Sequence, residues 1–289
     1  MGSLDGRITI ITGAGRGLGR AHARFFAAEG ASVVVNDLGD DGNDAAQEVV
    51  DEIRAAGGTA VANHDDVTDW EGGQRLVATA IDEFGGLDVL VNNAGILRDR
   101  ALVNMTEDEW DEVTTVHLKG HFVPTRFAAA YWREQSKSGT PRDACVIHTS
   151  STSGLLGNPG QTNYGAAKAG VASFSGICAQ ELGRYGVRSN CIVPAARTRL
   201  TETTPGLSEM VAPPDDGRGF DVWDPENVSP VVAHLALAGS TVTGRTIFVQ
   251  GGSIRLMEGW RFEYGLEREG RWTLAELAEK FPTLTAKGA

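Results

Sequence analysis

What most restricts this chain is a rhythm. Seven short, nearly continuous apolar runs lie at 8–12, 32–36, 59–63, 88–92, 144–150, 188–193 and 246–250. Between them stand stretches of helical periodicity at 17–29, 45–56, 74–84, 107–133, 164–185 and 229–237. Strands that are apolar at successive positions are covered on both faces. Repeated strand–helix alternation then predicts an α/β fold, a doubly wound parallel sheet with right-handed crossovers and helices on both faces. Helix-start signals fit this pattern. Asn43 or Asp44 can cap the second helix, and Thr106 with Glu109 three residues on reads as a capping box.

Two segments break the rhythm. Residues 201–227 are rich in Pro, Gly, Thr and Asp and read as a lid over a cleft, walled by Leu207, Met210, Val211, Phe220 and Trp223. The expected organisation is therefore a catalytic domain over 1–252 containing that lid, and a C-terminal extension over 253–289. The extension carries Trp260, Phe262, Tyr264, Trp272 and the amphipathic run TLAELAEKF. Those apolar groups need cover, either on their own domain or at a subunit interface.

The charge balance of 26 Lys+Arg against 38 Asp+Glu, net −12, argues against nucleic acid or an anionic membrane as partner. Three cysteines, Cys145, Cys178 and Cys191, sit in apolar stretches without CxxC spacing. They read as buried thiols of a reducing compartment rather than as a disulfide framework, and no metal site is expected. With no signal-peptide pattern and no apolar run long enough to span a bilayer, the expectation is a soluble cytoplasmic protein.

The first chemical motif is Thr12-Gly13-Ala14-Gly15-Arg16-Gly17-Leu18-Gly19, which leaves a strand and opens a helix. Small residues there let backbone approach a pyrophosphate, and the helix N-terminus offers free N–H groups and partial positive charge. Asp37, at the end of the second strand, is placed to accept hydrogen bonds from an adenosine ribose and to repel a 2′-phosphate. That favours NAD over NADP, with Arg16 as the counter-signal. Asp66-Val67 and Asn93-Ala94-Gly95 fall at further strand ends, where ligands bind in open α/β sheets. The most informative constellation is Ser151, Tyr164 and Lys168. Tyr164 and Lys168, four apart, share one helix face. The ammonium is expected to lower the phenol's pKa and fit Tyr164 for acid–base work, while Ser151 hydrogen-bonds a substrate oxygen.

Together these residues resemble the short-chain dehydrogenase/reductase family over residues 5–252. The resemblance implies a single Rossmann-type domain with a seven-stranded parallel sheet, usually in homodimers or homotetramers. It implies catalysis by Ser151, Tyr164 and Lys168, and cofactor contacts from Thr12, Gly13, Arg16, Gly17, Leu18, Gly19, Asp37, Asp66, Val67, Asn93, Ala94, Gly95, Tyr164, Lys168, Pro194 and Thr198. The segments VVVNDLG, NNAGILRDR, VHLKGHF, GNPGQTNYGAAKAG and PAARTRLT resemble the (3R)-hydroxyacyl-CoA dehydrogenase type of multifunctional β-oxidation enzymes. Two departures stand out. His117 occupies the place of the family's usual catalytic Asn, where an imidazole can hold a relay water, pass protons itself, or simply pack. Pro194-Ala195 replaces the usual Pro-Gly. The implied activity is NAD-dependent interconversion of a secondary alcohol and a ketone on a 3-hydroxyacyl-CoA or another hydrophobic substrate, with Arg98, Arg100, Arg197 and Arg199 as candidate phosphate contacts. A hydroxysteroid dehydrogenase, a 3-oxoacyl-ACP reductase and a catalytically inactive cofactor-binding regulator are the alternatives.

Overall fold

The computed structural model describes residues 2–39, 43–197, 211–214, 219–259, 261–262 and 264–285. Eight strands form one sheet: β1 Ile8–Thr12, β2 Ser32–Asn36, β3 Thr59–Asn63, β4 Val89–Asn92, β5 Ala144–Thr149, β6 Val187–Pro194, β7 Thr246–Gln250 and β8 Ser253–Met257. Their order is β3-β2-β1-β4-β5-β6-β7-β8. The first seven run parallel, as the alternation predicts. The expectation of a seven-stranded parallel sheet is corrected by one strand. The turn at Gly251-Gly252 folds residues 253–257, the start of the expected extension, back on β7 as an antiparallel edge.

The helices are α1 Gly17–Ala28, α2 Ala45–Ala55, α3 Trp70–Phe84, α4 Glu107–Thr114, α5 Gly120–Lys137, α6 Thr152–Leu155, α7 Thr162–Leu182, α8 Ser229–Ala236 and α9 Leu274–Thr285. Asp44 caps α2, accepting from Gln47 N. The Thr106/Glu109 capping box opens α4. The single helix expected over 107–133 is instead interrupted by a π-helical turn, Thr115–Lys119, which carries His117.

Alternate side chains of β1, β2, β4 and β5 feed two cores. Ile11, Val33, Val35, Val91 and Ile147 pack with Phe26 of α1, Val49 and Val50 of α2, and Val232 of α8. Ile10, Val34, Leu90 and Val146 pack with Leu76 of α3 and Ala128 and Trp132 of α5. Trp132 places its indole in this second core without an orphaned donor, because Nε1 donates to the Leu87 carbonyl at 2.7 Å. The three cysteines are buried and unpaired. Among the described residues, no helix is long and apolar enough to cross a membrane.

The chain divides into two compact units, Met1–Met257 and Glu258–Ala289. In the second, Thr273 and Glu276 cap α9 reciprocally, with Thr273 N donating to Glu276 Oε2 at 2.8 Å and Glu276 N to Thr273 Oγ1 at 3.3 Å. Phe262, Tyr264 and Leu274 are exposed.

Candidate active site

The carboxyl ends of the parallel strands open into a cleft of about 740 Å³. At its floor, Gly13 and Gly17 adopt left-handed backbone, φ +61° and +51°, which allows the chain to turn from β1 into α1. Gly19 is required by contact rather than by conformation, since a Cβ there would stand 2.1 Å from the Gly13 carbonyl oxygen. Among the described residues no side chain caps α1, and its first turn holds no acidic residue. The helix's leading N–H groups and positive end are thus left for an anion.

Asp37 ties this loop to β2. Its Oδ2 accepts from Gly15 N at 2.9 Å and its Oδ1 from Gly39 N at 3.1 Å. Each oxygen retains a further lone pair. Thr12 Oγ1 receives Asn93 N at 2.9 Å and Ala94 N at 3.1 Å, while Asn93 Nδ2 donates to the Thr12 and Gly13 carbonyls. These bonds lock the end of β4 to the end of β1. Asp66 accepts from Thr68 N at 2.7 Å, and Val67 is buried.

Gly13, Arg16, Gly17, Leu18, Asp37, Asp66, Val67, Asn93, Ala94, Gly95, His117, Ser151, Tyr164, Lys168 and Pro194 all line this one cleft. Thr12 and Gly19 stand behind it and hold the loop. Thr198, Arg199, Leu207 and Met210 lie outside the described residues, as does much of the expected lid. Val211 and Trp223 of that segment line the cleft, whereas Phe220 is exposed.

Ser151 caps the short α6, its hydroxyl accepting from Ser153 N at 3.2 Å. Tyr164 stands in the first turn of α7. Asn163 fixes that turn, donating to the Arg98 and Glu109 carbonyls and accepting the Tyr164 N–H at 2.7 Å. Lys168, one turn on, is buried and donates to the Thr149 carbonyl at 2.6 Å. Its Nζ stands over the Tyr164 ring, 5.6 Å from the centroid.

The expected acidification of Tyr164 by Lys168 is corrected here. Burial pushes the phenol up to about 12, the Asp99 carboxylate adds to this, and a hydrogen bond with Ser151 opposes it. Burial also drives Lys168 down to about 7.

His117 is buried against Tyr164, ring centroids 5.1 Å apart and edge to face. Its Nε2 lies 2.8 Å from the Ile96 carbonyl, and its Nδ1 has no partner among the described residues. Burial, reinforced by the Lys168 charge, holds it well below the ordinary imidazole range. The π turn and Gly95 make room for the ring, since a Cβ at Gly95 would lie 2.3 Å from His117 Cε1.

Three of the candidate phosphate ligands are engaged elsewhere. Arg98 pairs with Glu112 at 2.8 Å, Arg100 with Glu109 at 2.5 Å and Arg197 with Asp221 at 2.5 Å. Several supporting residues escape a reading of spacing alone. They are Asn163, the Thr149 carbonyl and the Gln161–Asp99 contact at 2.8 Å. Only the adjacency of Gln161 and Asn163 to Tyr164 signalled them.

Residues 7–211 match the sequence model of the family described as short chain dehydrogenase. The chain is 43 % identical over 282 residues to the hydroxyacyl-CoA dehydrogenase ChsB1 of Mycobacterium tuberculosis, covering 95 % of this chain and 87 % of that protein. It is 43 % identical over 290 residues to the peroxisomal hydratase-dehydrogenase-epimerase of Neurospora crassa, covering 98 % of this chain but only 30 % of that longer protein. A crystal structure of a short chain dehydrogenase from Mycobacterium avium superposes with a TM-score of 0.89 at 50 % identity, covering 99 % of this chain and 96 % of that one.

Proposed function

The chain belongs to the short-chain dehydrogenase family, and from that premise we propose that it interconverts a secondary alcohol and a ketone on a 3-hydroxyacyl-CoA/3-oxoacyl substrate with NAD. One observation carries the reading: the glycine loop and the Ser151, Tyr164 and Lys168 side chains line a single cleft. The acyl-CoA class is supported by the activity named for the Mycobacterium tuberculosis relative.

The residues present fit a nicotinamide dinucleotide. The uncapped start of α1 offers N–H groups to a pyrophosphate, and the Asp37 carboxylate offers lone pairs to a ribose while disfavouring a 2′-phosphate. Bound there, the nicotinamide supplies the hydride acceptor and, when oxidised, a positive charge that favours the Tyr164 phenolate. Ser151 and Tyr164 orient the substrate oxygen between them. Tyr164 takes the hydroxyl proton during oxidation and returns it during reduction. Lys168, tethered to the Thr149 carbonyl, holds the floor of the site and receives the proton that Tyr164 releases. Placing both reactants in one cleft supplies much of the acceleration. A homo-oligomer belongs to the same reading, supported by the exposed apolar side chains of the second unit.

The test measures NADH formation from a 3-hydroxyacyl-CoA and from the same hydroxy acid without CoA. A strong preference for the thioester supports the acyl-CoA assignment. Equal rates overturn it, and no NADH from any secondary alcohol overturns the dehydrogenase reading.

A further inference from the structure

One arginine reaches several points of the chain that walls the cleft. We infer that Arg197 and Asp221 form a clamp that holds Val211 and Trp223 against the cleft, and that this clamp sets the affinity for long acyl chains. Both are positioning residues. The inference rests on the proposed dehydrogenase reading, which supplies the acyl substrate.

The clamp is anchored in the sheet. β6 ends at Pro194, and Ala195 N donates to the Val249 carbonyl of β7 at 2.9 Å. The backbone arriving at Arg197 is therefore fixed. From there Arg197 N donates to the Trp223 carbonyl at 2.5 Å, Nη1 to the Val211 carbonyl at 2.8 Å and Nη2 to Asp221 Oδ2 at 2.5 Å. Asp221 secures the other side. Its Oδ1 accepts from Trp223 N at 3.0 Å and its carbonyl from Asn227 Nδ2 at 2.7 Å. Val222 rests on the turn between β7 and β8, where a Cβ added at Gly251 would lie 3.0 Å from Val222 Cγ1. Val211 and Trp223, distant in sequence, are thus tied through one guanidinium.

What the clamp positions is apolar. Val211 is buried and Trp223 half-buried, and both line the cleft that holds Ser151 and Tyr164. Leu97, Val116 and Leu156 line it too, and Leu156 is 75 % exposed. An alkyl chain on the carbon that Ser151 and Tyr164 hold has this wall to lie against. Apolar cover favours binding in proportion to the area taken out of water, so the wall's contribution grows with chain length. A short acyl group gains little from it.

Arginine suits the task. Its planar fork donates to a carbonyl and a carboxylate at fixed angles, whereas a lysine ammonium is a single point charge. The competing role for Arg197 is a phosphate contact, and the two roles make opposite predictions at Asp221. Weakening Asp221 frees the guanidinium for a phosphate, but it loosens the clamp.

The test uses Arg197→Met, Arg197→Lys and Asp221→Asn in the full chain. KM and kcat are measured for oxidation of a short-chain and a long-chain 3-hydroxyacyl-CoA by NAD, with NADH affinity as the control for folding. Arg197→Met and Arg197→Lys should raise KM for the long chain by about tenfold, the loss of cover over roughly two CH₂ groups, and for the short chain by less than about twofold. Asp221→Asn should move the long-chain KM in the same direction, and NADH affinity should stay at the parent's value. A lower KM in Asp221→Asn, or a parental KM in Arg197→Lys, overturns the clamp in favour of a phosphate contact. Equal rises for both chains, or no rise for either, also overturn it. A second measurement needs no turnover: fluorine NMR of the protein labelled with fluorotryptophan, with the Trp223 signal assigned by its loss in Trp223→Phe. That signal should shift in Arg197→Met and in Asp221→Asn. A Trp223 signal at the parent's position in both variants overturns the clamp even if the dehydrogenase reading stands. Shifted signals in a protein that oxidises no secondary alcohol support the hold on Trp223 and overturn the dehydrogenase reading instead.

Discussion

Acid should unfold this protein through its buried histidines, and His22 isolates the effect because it lies away from the cleft. His22, on α1, is fully buried, with Nδ1 2.9 Å from Ser229 Oγ and Nε2 without a partner among the described residues. Burial lowers its pKa from 6.5 to about 3, and His148 is lowered to about 3 in the same way, with the Lys168 charge adding there. Between pH 6.5 and about 3 the unfolded chain therefore binds protons that the folded chain refuses. Stability conferred by the neutral rings is complete above pH 6.5 and is lost as the pH falls towards 3. Each ring contributes about 1.4 kcal/mol per pH unit, and about 5 kcal/mol over the whole window. Two such losses rival the roughly 5–15 kcal/mol of a typical domain. His117 and His121, shifted in the same direction, add to the slope. Urea unfolding followed by circular dichroism at pH 7, 6, 5 and 4 should show steeply falling stability, and His22→Gln should flatten the slope by about one proton's worth. A parent whose stability is level from pH 6.5 to 4, or a variant with the parent's slope, would refute the reasoning.

Three other perturbations test separate parts of the account. Lys168 is lowered from 10.5 to about 7 by burial, so the parent should gain stability as the pH rises from about 7 towards about 8.5, below the range where the buried Cys145, Cys178 and Cys191 thiols oppose the trend, a gain that Lys168→Met abolishes together with turnover; denaturant melts at the two pH values check it. Gly19→Ala drives a Cβ to within 2.1 Å of the Gly13 carbonyl and should weaken NADH binding by at least about tenfold, since the loop must shift by roughly 1 Å to clear the backbone contact; nicotinamide fluorescence titration reads it. Asp37→Ser removes the carboxylate that discriminates against a 2′-phosphate and should narrow the NAD-over-NADP preference by about tenfold, an outcome read from the ratio of kcat/KM values.

Much of the architecture is visible in residue order alone. Seven parallel strands follow from apolar runs such as 32–36, and the cofactor loop from a glycine cluster at the first strand–helix junction. What the order conceals depends on contacts made in three dimensions. The run from 107 to 133 has unbroken helical character, yet it contains a π turn whose His117 reaches the Ile96 carbonyl. The alternating SIRLM segment looks like the start of a tail, and becomes β8 only because the preceding turn returns it to β7. The pairing of Tyr164 with Lys168 is legible as a four-residue spacing, but the outcome of that pairing is not. Desolvation raises the phenol, and only coordinates reveal how deeply both groups are buried. Arg98 and Arg100 look available in the sequence because Glu112 and Glu109 reach them from α4, an element whose position the sequence does not disclose.

Tyr164→Phe tests the central claim most directly, because it removes one oxygen and leaves the helix, the ring and the cofactor loop in place. With a 3-hydroxyacyl-CoA and NAD, kcat should fall by roughly a hundredfold or more, as expected when a positioned acid–base group is removed, while NADH binding stays at the parent's affinity. Turnover equal to the parent's would contradict the assignment of Tyr164 as the group that moves the substrate's proton.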